Sequence, residues 1–121
     1  MSEWQLGTIE ARFADIIWQN APLTSSELAK QSEHLLGWKK TTSYTVLKRL
    51  CDKGLFRNEG GTVSAAISRQ EFYAHQSQKY VEETFAGSLP AFIAAVASGG
   101  KLSSQDIAQI RQMIDRYDKE E

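Results

Sequence analysis

Trp38-Lys39-Lys40-Thr41-Thr42-Ser43-Tyr44-Thr45-Val46-Leu47-Lys48-Arg49-Leu50-Cys51-Asp52-Lys53-Gly54 is the stretch whose reading decides the fold. Wound at about 3.6 residues per turn, it places Ser43, Val46, Leu47, Leu50 and Gly54 on one side. Thr41, Thr45 and Lys48 fall on the other side, with Tyr44 and Arg49 flanking them. The first face needs a core to pack against. The second is small, hydroxylated and basic, which suits close approach to an anionic surface. These two faces predict a helix that reads DNA, with the rest of the chain holding it or pairing it with a second copy.

The residues before it predict two helices. Over residues 8–19, Ile9, Phe13, Ile16 and Ile17 form an apolar stripe, and Trp18 lies off it, free to pack on another element. Asn20-Ala21-Pro22 breaks this helix. Thr24-Ser25-Ser26-Glu27 fits a capping box, with Leu23 and Leu28 as its hydrophobic staple. The second helix then carries Leu28, Leu35 and Leu36 inward and ends at Gly37. Thr41 or Thr42 is the expected N-cap of the third helix, and Gly54-Leu55 its terminator. Two short helices joined by a few residues, the second basic on its outer face, make a helix-turn-helix.

After it, residues 55–58 and 63–67 read as two short strands around Glu59-Gly60-Gly61-Thr62. A hairpin there is the wing of a winged helix. Ser68-Arg69-Gln70-Glu71 is a second capping box and opens a helix to about residue 86. Its apolar face holds Tyr73, Tyr80, Val81 and Phe85. Residues 89–97 form a helix that is apolar almost all round, carrying Leu89, Phe92, Ile93 and Val96. Ser103-Ser104-Gln105-Asp106 caps a last helix with Ile107, Ile110, Ile114 and Tyr117 on one seam. Residues 118–121 are expected to fray. A helical trio of about 50 residues is marginal alone, and its apolar faces predict pairing between two chains. The expected division is a DNA-binding region over residues 1–68 and a helical dimerisation region over residues 69–121.

Charge supports this division. The net charge is −1, but residues 37–57 hold six basic side chains against Asp52 alone, and residues 68–121 are net acidic. Local positive charge on a near-neutral chain gives phosphate affinity without indiscriminate binding. Other classes lack their residues. Cys51 is the single cysteine, which excludes an intramolecular disulfide and a cysteine-cluster metal site, and it reads as a small semi-buried hydrophobe. His34 and His75 have no ligand-like neighbours, and Gly60-Gly61 lacks the Lys-Ser/Thr of a phosphate loop. No nucleophile–base arrangement is present, so neither an enzyme nor a cofactor is expected. No membrane-length apolar run occurs, and Glu3 and Glu10 interrupt the start, which predicts a cytoplasmic protein.

Trp38, Lys40-Thr41-Thr42, Tyr44-Thr45-Val46-Leu47, Arg49-Leu50 and Lys53-Gly54 resemble the signature of the BlaI/MecI/CopY family of repressors. Ile17-Trp18, Gly87-Ser88-Leu89, Leu102-Ser103 and Asp106-Ile107 extend the resemblance over nearly the whole chain. It implies a mostly α protein, with a winged helix-turn-helix followed by a helical dimerisation tail. It also implies binding to palindromic operators of β-lactam-resistance or metal-homeostasis genes. Four departures stand out. Thr62-Val63-Ser64-Ala65-Ala66 lacks the basic and aromatic residues of the family's wing, and Lys39 stands where proline is common. No cysteine follows Cys51, so the copper branch's cysteine hook is missing. Ala95-Val96 replaces the Asn-Phe pair cleaved in the β-lactamase branch, so a membrane sensor protease stays a partner by resemblance alone.

The expected DNA contacts are Lys39, Lys40, Thr41, Thr42, Tyr44, Thr45, Lys48, Arg49 and Arg57, with basic side chains on phosphates and threonines on phosphates or base edges. Lys40 or Lys48 is also within reach of guanine, and Tyr44 either lies along the DNA backbone or packs in the core. Trp38 is expected to anchor the turn. Tyr80, Phe85, Leu89, Phe92, Ile93, Val96, Ile107, Ile110, Ile114 and Tyr117 are the expected dimer contacts. The competing expectation is a winged helix used only for protein contacts, its basic face binding an acidic partner.

Overall fold

The computed structural model describes residues 4–120. Residues 1–3 and Glu121, which the readings above touch at Glu3 and the frayed end, lie outside them. The order of elements is α1 (Thr8–Asn20), β1 (Leu23–Thr24), α2 (Ser25–Leu36), α3 (Lys40–Asp52), β2 (Phe56–Glu59), β3 (Thr62–Ala65), α4 (Arg69–Phe85), α5 (Leu89–Ser98) and α6 (Ser104–Glu120). The fold is mostly helical with a small antiparallel sheet: a winged helix followed by a helical region. The chain divides into two compact units within α4, between Ser77 and Gln78.

The first unit is built on one core. Phe13 and Ile17 of α1, Leu28 of α2, Leu47 and Leu50 of α3, and Leu55, Phe56 and Val63 around the hairpin are all at most 2% exposed. Burying each large apolar side chain contributes about 1.5–3 kcal/mol, so this cluster decides where α3 sits. Local signals set the element ends. Thr24 Oγ1 accepts the Glu27 amide at 3.0 Å, and Gly37 closes α2 in the left-handed region at φ 71°. At the end of α3 the Gly54 amide donates to Cys51 O at 2.9 Å and the Leu55 amide to Leu50 O at 3.1 Å. That is a Schellman closure, and it drives Leu55 into the core.

Several expectations change. The N-cap position of α3 is Lys39, without a side-chain cap, so neither Thr41 nor Thr42 caps the helix. Ile9 and Leu35 are 46% and 54% exposed: both lie at the margins of apolar stripes that the core is too narrow to cover. Leu23-Thr24, read only as staple and cap, is also a strand. It pairs with β3 at Leu23–Val63 and Thr24–Thr62, giving the sheet order β1-β3-β2. The hairpin turns through Gly60 and Gly61, both at positive φ, directly between the Glu59–Thr62 pair. The Ser25 amide donates to Gly61 O at 2.8 Å, tying the hairpin tip to the first turn of α2.

Trp18, off its helix stripe, packs its ring near Phe56, Phe72 and Tyr73 and donates Nε1 to Ile67 O at 3.0 Å. Phe72, in the first turn of α4, is 2% exposed and also stacks near Trp4. Both capping-box bonds of Ser68 and Glu71 form, at 3.0 and 3.1 Å. The start of α4 is thereby part of the first unit's core.

Buried Ser43 is 1% exposed, and its hydroxyl has no partner. A desolvated hydroxyl without a hydrogen bond is destabilising, while alanine removes it and favours helix. Ser43→Ala is therefore expected to stabilise by about 1 kcal/mol and raise Tm by roughly 4–8 °C. A fall in Tm in a calorimetric scan would show that the hydroxyl has a partner after all.

In the second unit, Ser88 caps α5 by accepting the Ala91 amide at 3.1 Å, and Ser103 and Asp106 cap α6 reciprocally at 3.0 and 3.2 Å. Tyr80, Phe85 and Phe92 make an aromatic trio with centroids 5.5–6.0 Å apart. Of the α4, α5 and α6 residues from Gln78 on, none is fully buried. α6 runs on through Glu120, past the point expected to fray.

Candidate nucleic-acid interface

The apolar side of α3, with Val46, Leu47 and Leu50, is sealed in the core, which leaves the opposite side outward. Lys39, Lys40, Thr41, Thr42, Tyr44, Thr45, Lys48 and Arg49 are all exposed, as is Arg57 on β2. Trp38 lies under the turn, its ring centroid 5.0 Å from that of Phe13, which makes it an anchor of the α2–α3 connection.

The exposed side chains are held differently. Thr45 Oγ1 donates to Thr41 O at 2.9 Å, so its oxygen keeps only acceptor capacity and its methyl is available for apolar contact. Lys40 Nζ stands over the Tyr44 ring at 5.7 Å from the centroid. Lys48 Nζ lies 3.3 Å from Asp52 Oδ2, with both side chains more than two-thirds exposed. An exposed pair four residues apart on a helix is worth only about 0.3–0.5 kcal/mol, so Lys48 is easily released to another anion. Arg49 is held more firmly. Its Nη1 lies 2.6 Å from Glu10 Oε2 on α1. Beyond it, Lys53 Nζ donates to Gln5 O at 2.9 Å.

Glu10 serves two partners, since its Oε1 accepts the Gly7 amide at 3.2 Å. Partial burial pushes its carboxyl pKa up. The Gly7 bond and the Arg49 and Lys53 charges outweigh this, so the pKa lies below its ordinary value. The group is therefore anionic at neutral pH. Half-buried Cys51 has its thiol pKa raised by burial and by Asp52, which keeps it protonated.

Sequence reasoning missed Glu10, Gln5 and the α2 side of the site. A cleft of about 140 Å³ is lined by Ser26, Ala29, Lys30, Glu33 and Lys40, bringing Lys30 beside the start of α3. The spacing of residues 26, 29, 30 and 33 along one helix face is the signal that was available. No sequence signal links Glu10 to Arg49, which are 39 positions apart. Among the described residues no cluster of His, Cys, Asp and Glu forms a metal site, and no helix is long and apolar enough to cross a membrane.

Of the residues expected at a dimer contact, Tyr80, Leu89, Ile107, Ile114 and Tyr117 are exposed within one chain, while Phe85, Phe92, Ile93, Val96 and Ile110 are half-buried.

The sequence is similar to that of known proteins. The chain is 21% identical over 117 residues to the penicillinase repressor of Bacillus licheniformis, covering 93% of this chain and 91% of that protein. The profile of the family described as Penicillinase repressor matches residues 6–116, which takes in both the α3 signature and the helical region. This chain belongs to the penicillinase repressor family.

Proposed function

We propose that the chain is a dimeric, sequence-specific DNA-binding repressor that acts on a palindromic operator. The observation that carries this reading is the outer face of α3. Thr41, Thr45 and Lys48 line it, Lys39 and Lys40 stand at its start, and the opposite side of the helix is sealed in the core. Lys39, Lys40, Lys48 and Arg57 contact phosphates. Thr41, Thr42 and Thr45 meet phosphates or base edges, the Thr45 methyl being suited to the thymine methyl, and Tyr44 lies along the backbone. The hairpin adds little charge, so two copies of α3 must act together. The exposed apolar residues of α4, α5 and α6 support pairing with a second copy, which would set the two recognition helices about one turn of DNA apart.

Operators of β-lactam-resistance genes are the first to test, because the relative from Bacillus licheniformis is a penicillinase repressor. Metal-homeostasis operators are the second. Ala95-Val96 lies in α5 where the resemblance places a cleaved Asn-Phe pair, so release by cutting at that pair is not part of this reading.

The test is a fluorescence-anisotropy titration of labelled duplex at increasing salt. Binding is expected to weaken linearly in log K against log salt, with a slope of about −0.9 for each phosphate neutralised. A folded, dimeric chain that binds no duplex at about 50 mM salt would remove the repressor reading and favour a winged helix used for protein contacts.

A further inference from the structure

The cations of α3 fall into two groups. Lys40 and Lys48 stand on or beside the outer face, whereas Arg49 and Lys53 project from the flank towards the first turn of α1 and the segment leading into it. Both of the latter are held there: Glu10 Oε2 of α1 pairs with Arg49 at 2.6 Å, and Gln5 O, before the helix, accepts from Lys53 at 2.9 Å. The Arg49 side chain remains 52% exposed, so it is tied rather than buried, and a guanidinium is the side chain best matched to a DNA phosphate. We infer that Glu10 is a specificity-determining residue of this DNA-binding surface. By holding Arg49 on α1, it limits the sequence-independent phosphate affinity and leaves discrimination to the outer face of α3.

The inference rests on the repressor reading. Its logic is a competition for one cation. Phosphate contacts raise affinity for every sequence alike, so each one added lowers the ratio between operator and unrelated DNA unless it is also geometrically selective. Glu10 divides its two oxygens between Gly7, which starts α1, and Arg49. Glu10→Gln keeps an oxygen for the Gly7 amide and presents an amide NH₂ where the guanidinium approached. It thereby frees Arg49 while leaving the helix start intact.

The experiment compares wild type, Glu10→Gln and Glu10→Gln/Arg49→Gln. Each is titrated against the duplex that wild type selects from a random library and against a scrambled duplex of equal length, from about 50 to 200 mM KCl. Glu10→Gln is expected to bind scrambled DNA several-fold more tightly at the low-salt end. Its log–log slope is expected to steepen by about 0.9 per protomer, roughly an extra 3.5-fold loss per protomer across that range. The operator-to-scrambled ratio is expected to fall, and the double variant to return to the wild-type slope. Should melting show Glu10→Gln to be unfolded, Glu10→Arg/Arg49→Glu restores the pair with its ends exchanged and is expected to keep the wild-type slope. A folded Glu10→Gln with the wild-type slope, a double variant that stays steep, or an exchanged pair that is steep overturns the inference alone. A folded wild type that binds no duplex overturns the repressor reading and the inference with it.

Discussion

Ile114→Glu is expected to leave each chain folded, to convert the protein to monomers at low micromolar concentration, and to weaken operator binding by about 10²-fold or more. The side chain is 60% exposed within one chain, so a carboxylate there meets water and breaks no packing in the isolated chain. Across a dimer contact the same carboxylate would be desolvated without a partner, which is strongly unfavourable. Affinity falls further than the loss of one contact suggests, because two linked recognition helices bind with a high effective concentration. Sedimentation velocity reads the first outcome and anisotropy the second. A variant that still sediments as a dimer would show that the face of α6 carrying Ile107, Ile114 and Tyr117 lies outside the contact.

Phe72→Ala is expected to destabilise the first unit by about 3–5 kcal/mol in urea denaturation. The stability of a whole domain is only about 5–15 kcal/mol, so this single truncation takes a large share of it. The ring is 2% exposed, with centroids 5.0 Å from Tyr73, 5.4 Å from Trp18 and 6.3 Å from Trp4. Removing it leaves a cavity under three aromatic side chains that cannot collapse together. A loss below about 1 kcal/mol would mean that the start of α4 is not part of that core.

The two variants also mark what could be read from the residues alone. α3 was legible because its faces repeat at helical period and Gly54-Leu55 is a strong local stop. Its start was not: Thr41 and Thr42 are good capping residues, yet the chain enters the helix earlier, at Lys40. β1 escaped because two residues cannot show an alternation, and its pairing with Val63 and Thr62 is a distant event. Phe72 escaped because it lies off the apolar face read from Tyr73, Tyr80, Val81 and Phe85, and its meeting with Trp18 from α1 helps make it a core residue. The outer-face residues of the site were legible from the wheel, whereas the holding of Arg49 by Glu10 depends on how α1 packs against α3. In the second unit the apolar faces were legible, and one chain by itself leaves much of them in contact with water.

The hydrogen bond from the Ser25 amide to Gly61 O gives the hairpin tip an unusual standing. In many proteins such a turn is the place where insertions accumulate without penalty. Here the tip is a joint, since lengthening it would untie the first turn of α2 and unpair Thr24 from Thr62. Mutational drift at Gly60-Gly61 is thus filtered by the stability of a helix that begins at Ser25, far earlier in the chain. A lineage that needed a longer hairpin would have to lengthen it elsewhere than at that turn.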